Sequence, residues 1–214
     1  QRVRGLVREA TPIFWQDTDA QMLGWVTQGL EQFHLLIEKS LDTPDGRSRI
    51  PDPDSKYWGQ FWKAKNISII SGTTDYDLPN TEADMFNIFH SLVDATGRNL
   101  TSYDLRDELM VKRGATLGVG ASNGRFALLP GSQIRILVTP GSLGTPKESQ
   151  TAVLRYFRNI AHHESPTETI DLRDEFTTGP VHFAAYQALM AKRIAAPALF
   201  EGFVTAGKMV SGVQ

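Results

Sequence analysis

The run DTDAQMLGWVTQGLEQFHLLIEKSL, residues 17–41, is the strongest structural signal in the chain. Its apolar residues recur at spacings of three and four, which places them on one face of an α-helix. Asp17 or Thr18 supplies the N-cap, and Asp19 puts a negative charge in the first turn, where the helix dipole favours it. The pattern therefore predicts a long amphipathic helix whose buried face carries Met22, Val26, Leu30, Phe33, Ile37 and Leu41.

A second helix is predicted near the other end of the chain, over residues 180–196. Pro180 stands in the favoured first position of a helix, and Pro197 is expected to end it. The face of this helix is rich in alanine, so its backbone can approach a neighbour closely. It would pack on the first helix, and it is also the predicted packing surface between subunits: Ala184, Ala185, Ala188 and Ala191.

Between the two helices the hydrophobic period changes from that of a helix to that of strands. Strands are predicted over 67–71, 88–93, 125–129, 133–138 and 151–157, with Pro130-Gly131-Ser132 as a hairpin turn. Short helices are predicted around the aromatic cluster of Tyr57, Trp58, Phe61 and Trp62 and over 103–113. The fold class is thus α+β, a helical bundle formed by the N-terminal and C-terminal helices with a β-sandwich-like insertion. The predicted parts are residues 1–64, 65–160, 161–198 and 199–214.

Composition limits the function. The chain has 214 residues, 41% of them hydrophobic, which suits one domain with a large insertion. The sequence contains no cysteine, which excludes disulfides, thiolate nucleophiles and cysteine-based zinc sites. The formal net charge of −2 argues against a general nucleic-acid binder. No apolar run approaches the roughly 20 residues of a membrane span, and the basic start, residues 1–6, lacks the apolar core of a signal peptide.

Four groups of residues suggest a catalytic or binding site, but each lacks part of the pattern that such a site requires. The glycines of 118–124 suggest a phosphate loop, but a strand follows where a helix should begin. Four aspartates lack the spacing and terminal glutamate of an EF-hand, and His162, His163 and Glu164 would point apart on a strand. No nucleophile elbow surrounds the candidate serines. We therefore predict no catalytic residue, no metal and no cofactor. The aspartates are Asp42, Asp45, Asp52 and Asp54, and the serines are Ser68, Ser71 and Ser91.

The last segment, residues 199–214, is apolar for a chain terminus, since termini are usually polar and frayed. Its glycines, Gly202, Gly207 and Gly212, would let it adapt to a groove. We predict an extended docking segment, and the alternative is that it folds back on its own core. The predicted docking residues are Leu199, Phe200, Phe203, Val204, Met209 and Val210.

Taken in order, these segments resemble the head-to-tail adaptor (connector) proteins of tailed bacteriophages. The resemblance covers most of the chain and lies in the order of its motifs. These are the early helix with DAQMLGWV (19–26), the turns GTTDYDLP (72–79) and TGRNL (96–100), the strands IRILVTP (134–140) and LRYFR (154–158), and the entry LRDEF (172–176) into the final helix. The β-rich middle is longer than in the smallest members of the family.

The resemblance implies a structural role and no enzymatic activity. Such adaptors form a ring of about 12 copies below the portal protein, extend the DNA channel and support tail attachment. The implied partners are the portal protein, a tail or nozzle protein, and double-stranded DNA that passes through the lumen without specific binding. The implied location is the neck of the virion, after assembly in the host cytoplasm and without membrane contact.

Two alternatives remain open from the sequence. One is another ring of the same neck, such as a nozzle or tail-terminator protein. The other belongs to a different class, a β-rich carbohydrate-binding or hydrolytic module of a phage tail. That module would need aromatic and carboxylate side chains converging in one cleft, for which Trp58, Trp62 and Glu82 are the nearest candidates.

Overall fold

The computed structural model is a mixed α+β protein and divides into two compact units. The helical unit combines two separate parts of the chain, Gln1–Gln60 and Ile160–Gln214, whereas the β unit is the continuous segment Phe61–Asn159. The structure describes residues 18–42, 49–70, 73–81, 84–94, 97–107, 125–137, 150–160, 172–191 and 194–211.

Three α-helices form the described framework of the helical unit. They are α1 (Thr18–Lys39), α2 (Thr178–Ala191) and α3 (Pro197–Ser211). Each helix packs against the other two. Their shared core contains Leu30, Phe33 and Ile37 of α1, Phe183 of α2 and Phe203 of α3, all buried. The ring centroids of Phe33 and Phe203 lie 6.0 Å apart, and those of Phe183 and Phe203 lie 5.0 Å apart.

The first helix agrees with its prediction within two residues at each end, but α3 corrects the prediction of an extended tail. Proline is favoured at the first position of a helix because its missing N–H has no partner there anyway. Pro197 therefore begins α3 where it was expected only to end the preceding helix. Leu199, Phe203 and Val210 follow at helical spacing, so this segment can bury one face on its own unit.

Small residues set the distance between α1 and α2. A Cβ atom added at Gly29 would lie 2.7 Å from the carbonyl oxygen of Pro180, closer than such atoms approach in real structures. Gly179 similarly has the ring of Phe33 where its own side chain would be. The close packing of these two helices therefore depends on glycine at both positions.

The aromatic cluster predicted as a short helix is split between the units. Tyr57 and Trp58 are buried in the helical unit, where Trp58 begins a 3₁₀ turn, Trp58–Gln60. Trp62 begins a strand in the β unit. The helix predicted over 103–113 has one described piece, the 3₁₀ turn Leu105–Asp107, and the rest lies outside the described residues.

Eight described strands form two four-stranded sheets in the β unit. The first sheet has the order β1-β8-β4-β3 and the second β2-β7-β6-β5. All neighbouring strands are antiparallel except β5 and β6, which are parallel. The strands are β1 (Trp62–Ile69), β2 (Asp75–Asp77), β3 (Asn80–Thr81), β4 (Asp84–Val93), β5 (Thr101–Ser102), β6 (Arg125–Leu129), β7 (Gln133–Leu137) and β8 (Gln150–Arg158).

Both sheets contribute to one buried cluster of apolar side chains. Leu154 of β8 and Ile134 of β7 are fully buried in it, although they belong to different sheets. Phe89 of β4 stacks on Phe126 of β6 with ring centroids 4.9 Å apart. The alternation of buried and exposed residues along β7 follows the period of two that a half-buried strand requires.

The predicted hairpin joins β6 to β7 through Pro130-Gly131-Ser132. Leu129 pairs with Gln133, so three residues form the loop. Gly131 and Ser132 have φ angles of 83° and 59°, the left-handed conformation that a tight hairpin turn needs. The carbonyl of Ser132 accepts a hydrogen bond from the amide of Leu78, which attaches the turn to the chain beside β2.

Candidate interaction surfaces

Most residues that the sequence analysis considered as candidates for catalysis or for binding a ligand or metal lie outside the described part of the chain. These are Gly118–Gly124, Asp45, Ser71, Glu82, His162, His163 and Glu164. Of the aspartates that are described, Asp52 accepts a hydrogen bond from the amide of Asp54, 2.9 Å from its Oδ1. This is a local turn contact of the kind that aspartate makes in loops. The described ranges contain no group of three histidine, aspartate or glutamate side chains that could hold a metal ion.

The tryptophans proposed for a carbohydrate site belong to different units. Trp58 is only 6% exposed, and its ring packs edge-on against His34 and Tyr57 of the helical unit. A buried ring cannot offer a face for a sugar to stack on. Trp62 lies on a sheet of the β unit. The burial of Trp58 therefore gives no support to a sugar site that includes this ring.

The buried polar contact beside Trp58 is structural. His34 and Tyr57 are hydrogen bonded, Nδ1 to hydroxyl, at 2.9 Å. Burial first, and then the negative charge of Glu38, raise the pKa of Tyr57 above its ordinary value. The phenol therefore stays protonated and continues to join α1 to the segment before the 3₁₀ turn.

The predicted alanine surface packs mainly against other helices of the same subunit. Ala184, Ala185 and Ala188 have no exposed area, and the first two pack among Trp25 and Val26 of α1 and Leu199 of α3. Ala191 at the end of α2 is exposed. Of the two interpretations that the sequence left open, packing on the first helix is the one that the structure contains. Packing between subunits stays a prediction, for which Ala191 is the accessible member.

The predicted docking residues divide into buried and exposed members. Phe203 lies in the core of the helical unit, and Leu199, Val204 and Val210 are half-buried. Phe200 is 43% exposed and Met209 is 78% exposed. Since Phe203 packs against Phe33 and Phe183, deletion of residues 199–214 is expected to damage the fold as well as any docking.

An apolar surface is exposed where α2 ends and α3 begins; we call it the α2–α3 patch. Tyr186 and Met190 lie one turn apart on α2, and the ring of Phe200 packs on that of Tyr186 with centroids 5.3 Å apart. Ile194 lies in the short connection between the two helices. Met190 and Ile194 are 44% and 50% exposed. Large exposed apolar side chains grouped where two helices meet are a feature of surfaces that bind other proteins.

In the β unit, the outer face of the second sheet carries a paired polar ladder. Arg135 of β7 lies opposite Asp75 of β2 and forms two hydrogen bonds to its carboxylate, at 2.6 and 2.7 Å. Gln133 donates to Asp77 in the next cross-strand position, at 2.9 Å. Opposite charges at facing positions stabilise neighbouring strands. The side chains of Asp75, Asp77, Gln133 and Arg135 are therefore paired within the sheet.

The outer face of the first sheet carries aromatic and basic groups. Trp62 packs edge-on against His90, with centroids 4.6 Å apart, and both rings contact Phe157. Arg155 lies opposite Ala64 on one side and Ser91 on the other, and it is exposed. Burial first, and then the charge of Arg155, lower the pKa of His90 below its ordinary value. His90 is hydrogen bonded to Ser91 at 3.1 Å.

This aromatic and basic cluster was not predicted from the sequence. Its members come from three strands and are distant in the chain, so only the strand register brings them together. The available signal was the alternation of residues 151–157, which indicated that both faces of β8 are in contact with other groups. Arg155 and Phe157 are the members of that alternation on this face.

No helix among the described residues combines the length and the apolar character needed to cross a bilayer. Comparison of the sequence with protein-family models and with curated proteins gives no significant match.

Proposed function

We propose that the chain is a structural head-to-tail adaptor of a tailed phage. In this role, copies form a ring below the portal protein, extend the DNA channel and support tail attachment. The order of the sequence motifs, from the first helix through the LRDEF entry at 172–176, suggests the family. The observation that carries the proposal is the α2–α3 patch, because it leaves large apolar side chains in water unless another protein covers them.

The arrangement of the fold is compatible with this role. We propose a helical bundle into which a β-sandwich-like region is inserted. The proposal is supported by a helical unit that is built from both ends of the chain and by a β unit that is one continuous segment. It is also supported by the single apolar cluster that draws on both sheets.

The weak net charge suits a DNA channel through which DNA must move. Lysine and arginine contacts to phosphates hold DNA strongly, and their strength depends on salt. A chain with a formal net charge of −2 lacks the large excess of positive charge that retains DNA, which suits this role. In this proposal the DNA passes through the lumen without specific binding, and the virion neck is the working location.

The proposal is tested by native mass spectrometry of the purified chain, alone and with rings of the portal protein from the same phage. We expect a closed assembly of about 12 copies bound to the portal, by cyclic closure. The double variant Met190→Ser and Phe200→Ser should reduce occupancy of the portal, because both changes make the α2–α3 patch polar.

Leu128→Ser is the matched control. The exposed fraction of Leu128, 42%, is similar to the 43% of Phe200, but Leu128 lies on β6 of the other unit. This variant should leave portal occupancy unchanged. A wild-type chain that stays monomeric and does not bind portal rings would contradict the adaptor role. Equal loss of occupancy in both variants would show that the α2–α3 patch is not the docking surface.

Another ring of the same neck, such as a nozzle or tail-terminator protein, would use the same kind of surface. The experiment separates these roles because an adaptor binds portal rings directly. A nozzle would bind only after an adaptor is in place.

A further inference from the structure

We propose that the free edge of β1 binds an extended, acidic segment of a partner polypeptide by strand addition. This inference depends on the geometry of the first sheet and not on the adaptor role. The site consists of the backbone of β1 together with Arg155, and Lys63 and Lys65 give the edge a positive charge. Its ligand is a strand with carboxylates at alternate positions.

The first step is to establish which side of β1 is already paired with another strand. β1 pairs with β8 along all of its length, from Trp62 opposite Phe157 to Ile69 opposite Gln150. Within the described ranges no strand pairs with the other side of β1. The residues from Lys63 to Asn66 and Ser68 are exposed, so this side is accessible to solvent.

The second step identifies the backbone groups that are available. The carbonyl of Phe61 accepts a hydrogen bond from the amide of Arg158 at 2.9 Å, so these two residues form a hydrogen-bonded pair. Hydrogen-bonded and non-bonded pairs alternate along an antiparallel ladder. The N–H and C=O groups of Ala64, Asn66 and Ser68 therefore point away from β8. An added strand would bond to these groups, as in recognition by β-strand addition.

The third step concerns charge. Neither β1 nor β8 contains an acidic residue. Arg155 lies directly across the small side chain of Ala64. An added strand would place a side chain on the far side of Ala64, about 10 Å from Arg155 measured between the backbones. A glutamate at that position and the arginine can reach each other over the methyl group. Lys63 and Lys65 pair with Tyr156 and Leu154 on the other face of the sheet, so they add positive charge to the edge without facing the same carboxylate.

The same lysines argue against pairing of β1 with β1 of a second copy. In the antiparallel register that faces Ala64 with Asn66, Lys65 would lie directly opposite Lys65 of the other copy. Facing like charges destabilise a strand pair, and lysines on edge strands commonly prevent self-association. This register between two copies of β1 is thus disfavoured, whereas an acidic strand carries the charge opposite to that of the edge.

The test uses the full chain and two blocked heptapeptides, one alternating valine with glutamate and the other with lysine in place of glutamate. Two-dimensional NMR should show that the glutamate peptide shifts and protects the amides of Ala64 and Asn66. The lysine peptide should bind at least about tenfold more weakly, because its charge is repelled.

Two variants make the test specific. Ala64→Pro removes an N–H that points outward, and proline is accepted on edge strands, so peptide binding should be lost. Arg155→Glu should reverse the preference between the two peptides, and it keeps the test valid if the proline variant does not fold. Unchanged thermal unfolding shows that either variant is folded.

Three results would overturn the proposal. The first is equal binding of the two peptides, and the second is a set of affected amides that lies away from β1. The third is wild-type self-association that Ala64→Pro abolishes, since the edge would then belong to a second copy of the chain.

Discussion

The two sheets of the β unit share one apolar core but differ in how the arginine on each outer face is paired. On the second sheet, Arg135 is held by two hydrogen bonds to Asp75. On the first sheet, Arg155 lies among Ala64, Ser91 and the ring of His90, on strands where β1 and β8 supply no carboxylate. The difference teaches that charge on a sheet face can serve the fold or remain available to a partner, and that the facing strand decides which.

The largest effect is expected where the two sheets are alike. Leu154→Ala in the first sheet and Ile134→Ala in the second each remove a fully buried side chain from the shared core. Each should lower the free energy of unfolding by about 2–5 kcal/mol, measured by chemical denaturation. Leu128→Ala, at an exposed position, is the control and should cost less than about 0.5 kcal/mol. If Ile134→Ala leaves amide protection in β1 and β8 unchanged, the sheets do not share a core.

The next effect concerns a polar contact at the rim of that core. The hydroxyl of Tyr156 donates to Asp84 at 2.7 Å, so Tyr156→Phe should destabilise the chain by about 1.5 kcal/mol. Burial first, and then Asp84, raise the pKa of Tyr156 above its ordinary value. The unfolded chain releases this proton near pH 10 and the folded chain only at higher pH, so stability is present below pH 10 and declines above it.

Unfolding in urea between pH 8 and 11 would check this dependence. Tyr156→Phe should flatten the decline and leave the part that belongs to Tyr57, whose pKa is also raised. An unchanged slope would show that Tyr156 ionises alike in the folded and unfolded chains.

A direct comparison of the outer faces uses two matched variants. Arg135→Gln breaks the paired contact with Asp75. The two side chains, Arg135 and Asp75, are 27% and 34% exposed, and the change should lower the free energy of unfolding by about 1 kcal/mol. Arg155→Gln removes an exposed guanidinium and should change stability by less than about 0.5 kcal/mol. Thermal unfolding of both variants decides the point. Equal losses would mean that Arg155 is also part of the structural network.

The smallest effect is electrostatic. Because Arg155 contributes to the lowered pKa of His90, Arg155→Gln should raise that pKa toward its ordinary value, as followed by NMR titration of the ring. A folded-state pKa below the unfolded one gives stability that is present above about pH 6.5 and declines as the pH falls below it. Arg155→Gln should reduce this acid sensitivity, whereas Arg135→Gln should not alter the titration of His90.

The sequence predicted those elements whose own periodicity is strong. The first helix and the hairpin of 125–137 were predicted nearly as observed, because each shows a clear period and turn residues between. Residues 62–66 were missed as part of β1. On an edge strand Lys63, Ala64, Lys65 and Asn66 are all exposed, so they show no alternation.

The candidate surfaces were harder to predict, for two physical reasons. In the tail, the ambiguity of Pro197 between ending one helix and beginning another changed the whole segment. In the first sheet, Trp62, His90 and Arg155 are neighbours only through strand register. Register depends on tertiary packing and is not visible in a local pattern.

The division of the helical unit between the two ends of the chain has a consequence for synthesis on the ribosome. Domains generally fold as units, with the earlier part of the chain emerging first. The β unit is continuous, so it can complete its sheets while the last residues are still being added. The helix α1 emerges before the β unit, but its packing partners α2 and α3 emerge last. Phe33 and Ile37 therefore have no core to be buried in during the interval. A nascent chain halted when residue 160 has left the ribosome, but α2 and α3 have not, should therefore contain a protease-resistant β unit and a protease-sensitive α1.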